Sequence, residues 1–316
     1  VEQYSQKNNP FFLYVAYTAP HWPLHALPED IEKYGGKFAD GWDTMRERRH
    51  KKMIELGLVD PAWKLSQRDG RVPEWSNAEY KEWEAMRMAV YAAQIDRMDQ
   101  GIGRILGKLK EVGVEENTLV MFLSDNGGCA EILRGNNPNI IPGGPDSYMS
   151  YGIGWANASN TPLRRYKKWV HEGGIATPLI AHWKGVIKPG TITHQVGHVI
   201  DLLPTCLEAA NAEYPNEFNG NELLKLDGKS LFPILKGHRR EGHEAIYWEH
   251  LGNCAIRQGK WKLVMDNELG AWELYDLEAD RTETNNIVNL YPKQAEQMIK
   301  MWQDWAEEVE VWPKKI

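Results

Sequence analysis

The chain has 316 residues, 42% of them hydrophobic and 26% charged, and carries a net charge of −7. That composition fits a folded chain of one large domain or two. A pI near 5.9 argues against a nucleic-acid-binding surface, and the apolar runs are too short for a membrane-spanning helix.

In chain order, Phe11 to Tyr17 is a continuous apolar and aromatic run between Pro10 and Pro20. It predicts a fully buried strand of a parallel sheet. Residues 28 to 75 form a long polar segment containing the basic cluster Arg46-Glu47-Arg48-Arg49-His50-Lys51-Lys52. Beside Met45, Met53 and Ile54 that cluster reads as the solvated face of a helix. Ser76-Asn77-Ala78-Glu79 has capping-box spacing and predicts a helix start. Met88, Tyr91, Ile95, Met98, Ile102, Ile105 and Leu109 then give one apolar helical face, with Gly113 as its C-cap. The apolar run ending at Leu123 predicts a buried strand, so helix and strand alternate, as in a right-handed βαβ crossover.

Residues 134 to 160 are rich in Asn, Gly, Pro and Ser and predict a long functional loop. Pro178 to Trp183 predicts another short strand, and 199 to 210 a helix. Beyond about residue 237 come Ala245–Trp248, Cys254–Ile256, Trp261–Met265 and Trp272–Tyr275, short strands separated by Gly, Asn and Asp. They predict an antiparallel sheet, closed by an amphipathic helix over 292 to 310. The predicted division is therefore 1–237, part of a large α/β domain, and 238–316, a small α+β subdomain. Most of the 14 Trp are expected in packing roles. Cys129, Cys206 and Cys254 match no zinc or redox spacing, and any one disulfide leaves a third thiol unpaired.

The chemistry concentrates at Ser124-Asp125-Asn126-Gly127, directly behind the strand ending at Leu123. Asp-Asn-Gly alone is a turn sequence, because Asn and Gly tolerate positive φ. Past the end of a sheet strand, however, Asp125 and Asn126 are hard oxygen donors suited to Ca²⁺ or Mg²⁺. His21, in Ala19-Pro20-His21-Trp22-Pro23-Leu24, lies similarly past the first predicted strand. Lys167 precedes the strand near 178. One metal, one His and one Lys are enough to surround a tetrahedral oxyanion. The metal acts as Lewis acid, Lys as a point charge, and His or Lys as the proton donor to a leaving oxygen.

With these marks the chain resembles the type I sulfatases, the formylglycine-dependent arylsulfatase family of the alkaline-phosphatase-like superfamily. Further marks are Gly41-Trp42-Asp43, Gln94-Ile95-Asp96-Arg97-Met98-Asp99, Asn160-Thr161-Pro162-Leu163-Arg164 and Glu172-Gly173-Gly174. Leu203-Pro204-Thr205, Leu226-Asp227-Gly228-Lys229-Ser230 and Glu273-Leu274-Tyr275-Asp276-Leu277 complete the series. The resemblance implies a mixed α/β sheet flanked by helices, with a smaller C-terminal antiparallel sheet plus helix. It implies Asp125 and Asn126 as Ca²⁺ ligands, and His21 and Lys167 as contacts to the sulfate and its bridging oxygen. In that family a formylglycine hydrate attacks sulfur and the alcohol or phenol departs. A sulfated small molecule or glycan is the implied substrate, and a periplasmic or secreted site the implied location. Arg281 stands where the family often has Pro.

The C/S-x-P-x-R motif that yields formylglycine is absent, as are the paired aspartates and Lys-x-His segment that precede the first strand in the family's order. The chain therefore resembles roughly the C-terminal two-thirds of a sulfatase. It is expected to lack turnover alone, to bind Ca²⁺ weakly, and to need a missing N-terminal segment. Two alternatives remain at this stage: a phosphatase or phosphodiesterase of the same superfamily, against which Asn126 argues, and a non-catalytic sulfatase-like binding protein.

Overall fold

The computed structural model describes residues 1–5 and 10–311. Its first half contains helices α1 (Glu2–Ser5), α2 (Pro28–Glu32), α3 (Gly41–Glu55) and α4 (Lys81–Glu111), then strand β1 (Val120–Leu123) and helix α5 (Gly152–Ser159). There follow α6 (Glu172–Ile175), β2 (Leu179–His182), α7 (Leu202–Ala209), β3 (Glu217–Phe218), β4 (Asn221–Glu222) and α8 (Phe232–Leu235). The chain closes with β5 (Ile246–His250), β6 (Asn253–Gln258), β7 (Trp261–Asp266), β8 (Ala271–Asp276) and α9 (Pro292–Glu308). Among the described residues no helix is long and apolar enough to cross a membrane.

Two compact units emerge. The first comprises residues 1–15, 102–123 and 178–244; the second comprises 16–101, 124–177 and 245–316.

In the first unit β1 and β2 pair antiparallel, Val120 opposite His182 and Leu123 opposite Leu179. β1 is not the buried strand expected, with Phe122 37% exposed, and Ile180 of β2 is 60% exposed. The expected strand over Phe11 to Tyr17 is not formed either. Those residues have no ladder partner among the described residues, and Phe12 and Tyr14 are each 80% exposed. The run has strand composition but no sheet to enter. Among the described residues of this unit only Leu109 and Leu231 are buried apolar side chains.

The second unit has a dense core. Trp42 packs edge-on to Trp75 and Trp155, with centroids 4.6 and 5.5 Å away. Leu24, Tyr151, Tyr166 and Trp169 belong to the same cluster. This packing overrides the capping-box signal at Ser76. The Trp75 amide donates to Asp43 Oδ2 (2.8 Å), a 3-10 turn occupies Trp75–Asn77, and α4 starts only at Lys81. Its far end follows expectation, with Gly113 at φ +74° after the last turn. The basic cluster is not wholly solvated: Arg46 is buried and donates to the Ser66 carbonyl at 2.5 Å.

Strands β5 to β8 form the expected antiparallel meander. Leu251-Gly252 joins the first two, both at positive φ (53° and 81°), the backbone of a type I′ hairpin turn. Alternation along the strands gives two faces. Cys254, Ile256, Leu263 and Leu274 meet Ala295, Met298, Trp302 and Ala306 of α9. Ala255, Val264 and Tyr275 face the other way, toward Val170 and Leu277.

Lys262 belongs to that second face and is fully buried. Its ammonium pairs with Glu172 at 2.8 Å and Glu283 at 2.9 Å. Arg281 adds a 2.8 Å contact to Glu172, so the residue that departs from the family's usual Pro has an ion-pair partner. Burial alone would push the Glu172 carboxyl up, but the Arg281 and Lys262 cations outweigh it and hold the group low. At Glu273 burial is likewise outweighed, by His171 and Arg164, which bring it to about 2.

Two outcomes follow. Lys262→Met leaves buried Glu283 without its cation and Glu172 with Arg281 alone, and should cost about 3–5 kcal/mol in urea unfolding, whereas removing the exposed Lys300 should leave the transition in place. Glu172 and Glu273 have native pKa values below the unfolded 4.5, so their stabilisation is complete above that pH and is lost as pH falls toward about 2. Thermal unfolding followed from pH 6 down to pH 2 should show this decline. A flat profile over that range would contradict it.

Candidate active site

All the sequence-predicted site residues lie in the second unit. His21 and Lys167, 146 positions apart, meet in space: Lys167 Nζ is 2.9 Å from His21 Nε2. Both hang from the aromatic core. His21 lies three residues before buried Leu24, whose amide donates to the Met149 carbonyl at 3.0 Å. Lys167 lies between the buried rings of Tyr166 and Trp169.

The histidine tautomer follows from its second partner. Nδ1 is 2.9 Å from the Trp22 carbonyl, which only accepts, so Nδ1 carries the proton in the neutral ring. Nε2 then presents a lone pair to the Lys167 ammonium. Cys129 Sγ lies 4.0 Å and Glu131 Oε1 3.8 Å from the same ammonium. Glu131 Oε2 accepts from the Trp22 indole at 2.5 Å. Burial pushes the Cys129 thiol up. All three cysteines are free thiols.

The tetrapeptide 124–127 is organised differently from its turn reading. Neither Asn126 nor Gly127 has positive φ. Glycine is required at 127 by close approach: a Cβ there would sit 1.9 Å from the Gly173 carbonyl oxygen. Backbone bonds tie the two segments together, Gly127 N to Gly174 O at 3.0 Å and Lys167 N to Gly128 O at 3.1 Å. Asn160 bridges them, accepting from Gly128 N (3.0 Å) and donating to Arg165 O (3.2 Å). Arg165 and Lys168 adopt φ of +67° and +93°, strained values held by this over-determined setting.

Asp125 Oδ1 accepts from the Asn126 amide at 3.1 Å, and Asn126 Nδ2 donates to the Gly127 carbonyl at 2.8 Å. Asp125 Oδ2 and Asn126 Oδ1 have no hydrogen bond among the described residues. These two hard oxygens fit a Ca²⁺ or Mg²⁺ ion in kind, though Ca²⁺ takes roughly six to eight oxygens in all.

Comparison with known proteins decides the family. The sulfatase family profile matches residues 1–212, and that of the N-sulphoglucosamine sulphohydrolase C-terminal region matches residues 165–310. The chain belongs to the sulfatase family. It is 34% identical to an uncharacterised sulfatase of Schizosaccharomyces pombe, over 94% of this chain and 58% of that protein. It is 32% identical to an arylsulfatase of Klebsiella aerogenes, over 72% of this chain and 52% of that protein. The chain thus spans about half the length of these curated relatives.

Among solved structures, Ps i-CgsB in complex with k-i-k-neocarrahexaose aligns with a TM-score of 0.64 at 22% identity, over 96% of this chain and 52% of that one. The phosphonate monoester hydrolase of Agrobacterium radiobacter aligns with a TM-score of 0.55 at 20% identity, over 98% of this chain and 58% of that one. These likenesses fix the alkaline-phosphatase-like fold of the sulfatase family.

Sequence reasoning gave Trp22, Cys129, Glu131 and Asn160 no role at the site. The usable signal was proximity: Cys129 and Glu131 lie four and six residues past Asp125 in one loop. Asn160→Ala removes the bridge and should speed hydrogen exchange of the Gly128 amide roughly tenfold, the worth of one hydrogen bond near 1.4 kcal/mol. The Lys167 amide, one bond further on, should exchange faster too. Unchanged exchange at both amides would show that the bridge does not hold the segment.

Proposed function

We propose that this chain carries the leaving-group half of a sulfate-ester hydrolase, acting on an aryl or carbohydrate sulfate monoester. The observation that carries the reading is the Lys167–His21 contact at 2.9 Å with the histidine tautomer fixed by the Trp22 carbonyl. An ammonium at that position attracts the sulfate oxygens as a point charge. It also holds a transferable proton at Nζ, one hydrogen bond from the Nε2 lone pair. When the sulfate ester cleaves, charge develops on the bridging oxygen, and a proton delivered from this pair neutralises it.

Asp125 Oδ2 and Asn126 Oδ1 would hold a Ca²⁺ or Mg²⁺ ion, which supplies Lewis-acid neutralisation of the sulfate. In this reading the remaining metal ligands and the formylglycine nucleophile come from sequence outside these 316 residues. Two findings support that division. No Cys or Ser of the chain stands in a C/S-x-P-x-R motif. The first unit leaves Phe12, Tyr14, Phe122 and Ile180 exposed while burying few apolar residues of its own, the state of a sheet short of strands. Sulfated glycans are the favoured substrates, because relatives include an N-acetylgalactosamine-6-sulfatase of mouse.

The test compares two proteins. The 316-residue chain alone should not hydrolyse p-nitrophenyl sulfate. The protein extended by its upstream sequence should do so, and Lys167→Ala or His21→Ala should lower its kcat by roughly 10²–10⁴-fold. Turnover by the 316-residue chain, or full activity in both variants of the extended protein, would refute the reading.

A further inference from the structure

Besides the pair of hard oxygens at Asp125 and Asn126, the second unit holds a donor set of the opposite chemical character. One ligand atom each from His21, Cys129 and Glu131 lies within 4.8 Å of the others. Thiolate, imidazole and carboxylate together suit Zn²⁺ and its neighbours in softness, not Ca²⁺. We propose that these three side chains form a site for a borderline-soft divalent cation of the Zn²⁺ class, occupied in exchange for the Lys167 ammonium.

Three observations support this. First, the donors already converge on a positive charge: Lys167 Nζ lies 2.9 Å from His21 Nε2, 3.8 Å from Glu131 Oε1 and 4.0 Å from Cys129 Sγ. The ammonium occupies the place a metal ion would take. Second, both outer ligands are oriented by one residue. The Trp22 carbonyl accepts a hydrogen bond from His21 Nδ1–H and so leaves Nε2 toward the cation, while the Trp22 indole donates to Glu131 Oε2 and leaves Oε1 facing the cation. Supporting bonds of this kind fix ligand orientation and tautomer in metal sites. Third, little movement is needed. Bonds of about 2.0–2.3 Å in a tetrahedron set ligand atoms roughly 3.3–3.8 Å apart, at most about 1–1.5 Å closer than the 4.8 Å within which these atoms lie. Exposed His21 and Glu131 leave the entry side and a fourth position open to water.

On binding, Cys129 loses its thiol proton to solvent and its sulfur bonds the metal. The Lys167 side chain swings out on its four-carbon stem. Metal and ammonium disfavour each other, since a divalent ion and a unit charge about 4 Å apart repel even at the dielectric constant of water. A Zn²⁺-class ion would therefore separate Lys167 from His21. Its consequence, inhibition of the proposed hydrolysis, rests on that reading of function; the binding itself does not.

The test titrates the 316-residue chain with Co²⁺, whose bond to thiolate gives a near-ultraviolet charge-transfer band. The expected result is one Co²⁺ per chain with that band, displaced by Zn²⁺, lost in Cys129→Ser and retained in Asp125→Ala and Cys206→Ser. Lys167→Ala should tighten binding at least about tenfold, the sign opposite to that for a residue that merely supports the loop. Absence of the band, its survival in Cys129→Ser, or weaker binding in Lys167→Ala would each overturn the proposal. None of these readouts depends on catalysis, so failure here and failure of the sulfatase reading are separately visible.

Discussion

The site depends on one constraint: the segment from Arg164 to Gly174 is clamped on two sides. Toward the C-terminal meander it is held by charge. Arg164 reaches Glu273 at 3.0 Å and the Tyr275 hydroxyl at 2.8 Å, Arg165 reaches Asp266 at 2.6 Å, and Glu172 meets buried Lys262. Toward the loop after β1 it is held by backbone hydrogen bonds at Gly127, Gly128 and Gly174. Such buried charges are costly to desolvate, and their geometry has to be satisfied all at once. The result is a segment with little freedom, two residues of which take positive φ close to Lys167. The C-terminal sheet thus helps to position Lys167 through the segment that carries it.

That arrangement explains the spacing of the glycines and of the charged residues better than turn propensity does. Gly127, Gly173 and Gly174 allow two backbones to approach where any Cβ would collide with a carbonyl oxygen. The buried cation Lys262 then compensates two carboxylates brought in by the same segment and by the turn after β8. Stability and positioning are therefore one network.

Local signals made part of this legible in the sequence. The apolar period of α4, the short strands of the meander and the amphipathic pattern of α9 are set by near neighbours and appear where expected. His21 and Lys167 were recognisable from their motifs, and their meeting is a property of the fold. Asp125 and Asn126 stood out by residue type alone, while the reason for Gly127 shows only through Gly173. The misreadings share one cause: Phe11 to Tyr17 has the composition of a buried strand, but burial depends on partners that a composition does not supply. Ser76 has the residues of a cap, but Trp75 is bound to Asp43 and to the Trp42 ring, which displaces the helix start. Cys129 and Glu131 showed no metal spacing because their third partner, His21, is more than a hundred residues away.

The central claim is that the clamp delivers the Lys167 ammonium onto the Nε2 lone pair of a His21 fixed in its Nδ1–H form. Two-bond ¹H–¹⁵N correlation spectra of the imidazole report this directly. At a pH where the ring is neutral, the account predicts a protonated-type shift for His21 Nδ1 and an unprotonated, hydrogen-bonded shift for Nε2. A His21 ring protonated at Nε2, or one averaging freely between tautomers, would contradict it.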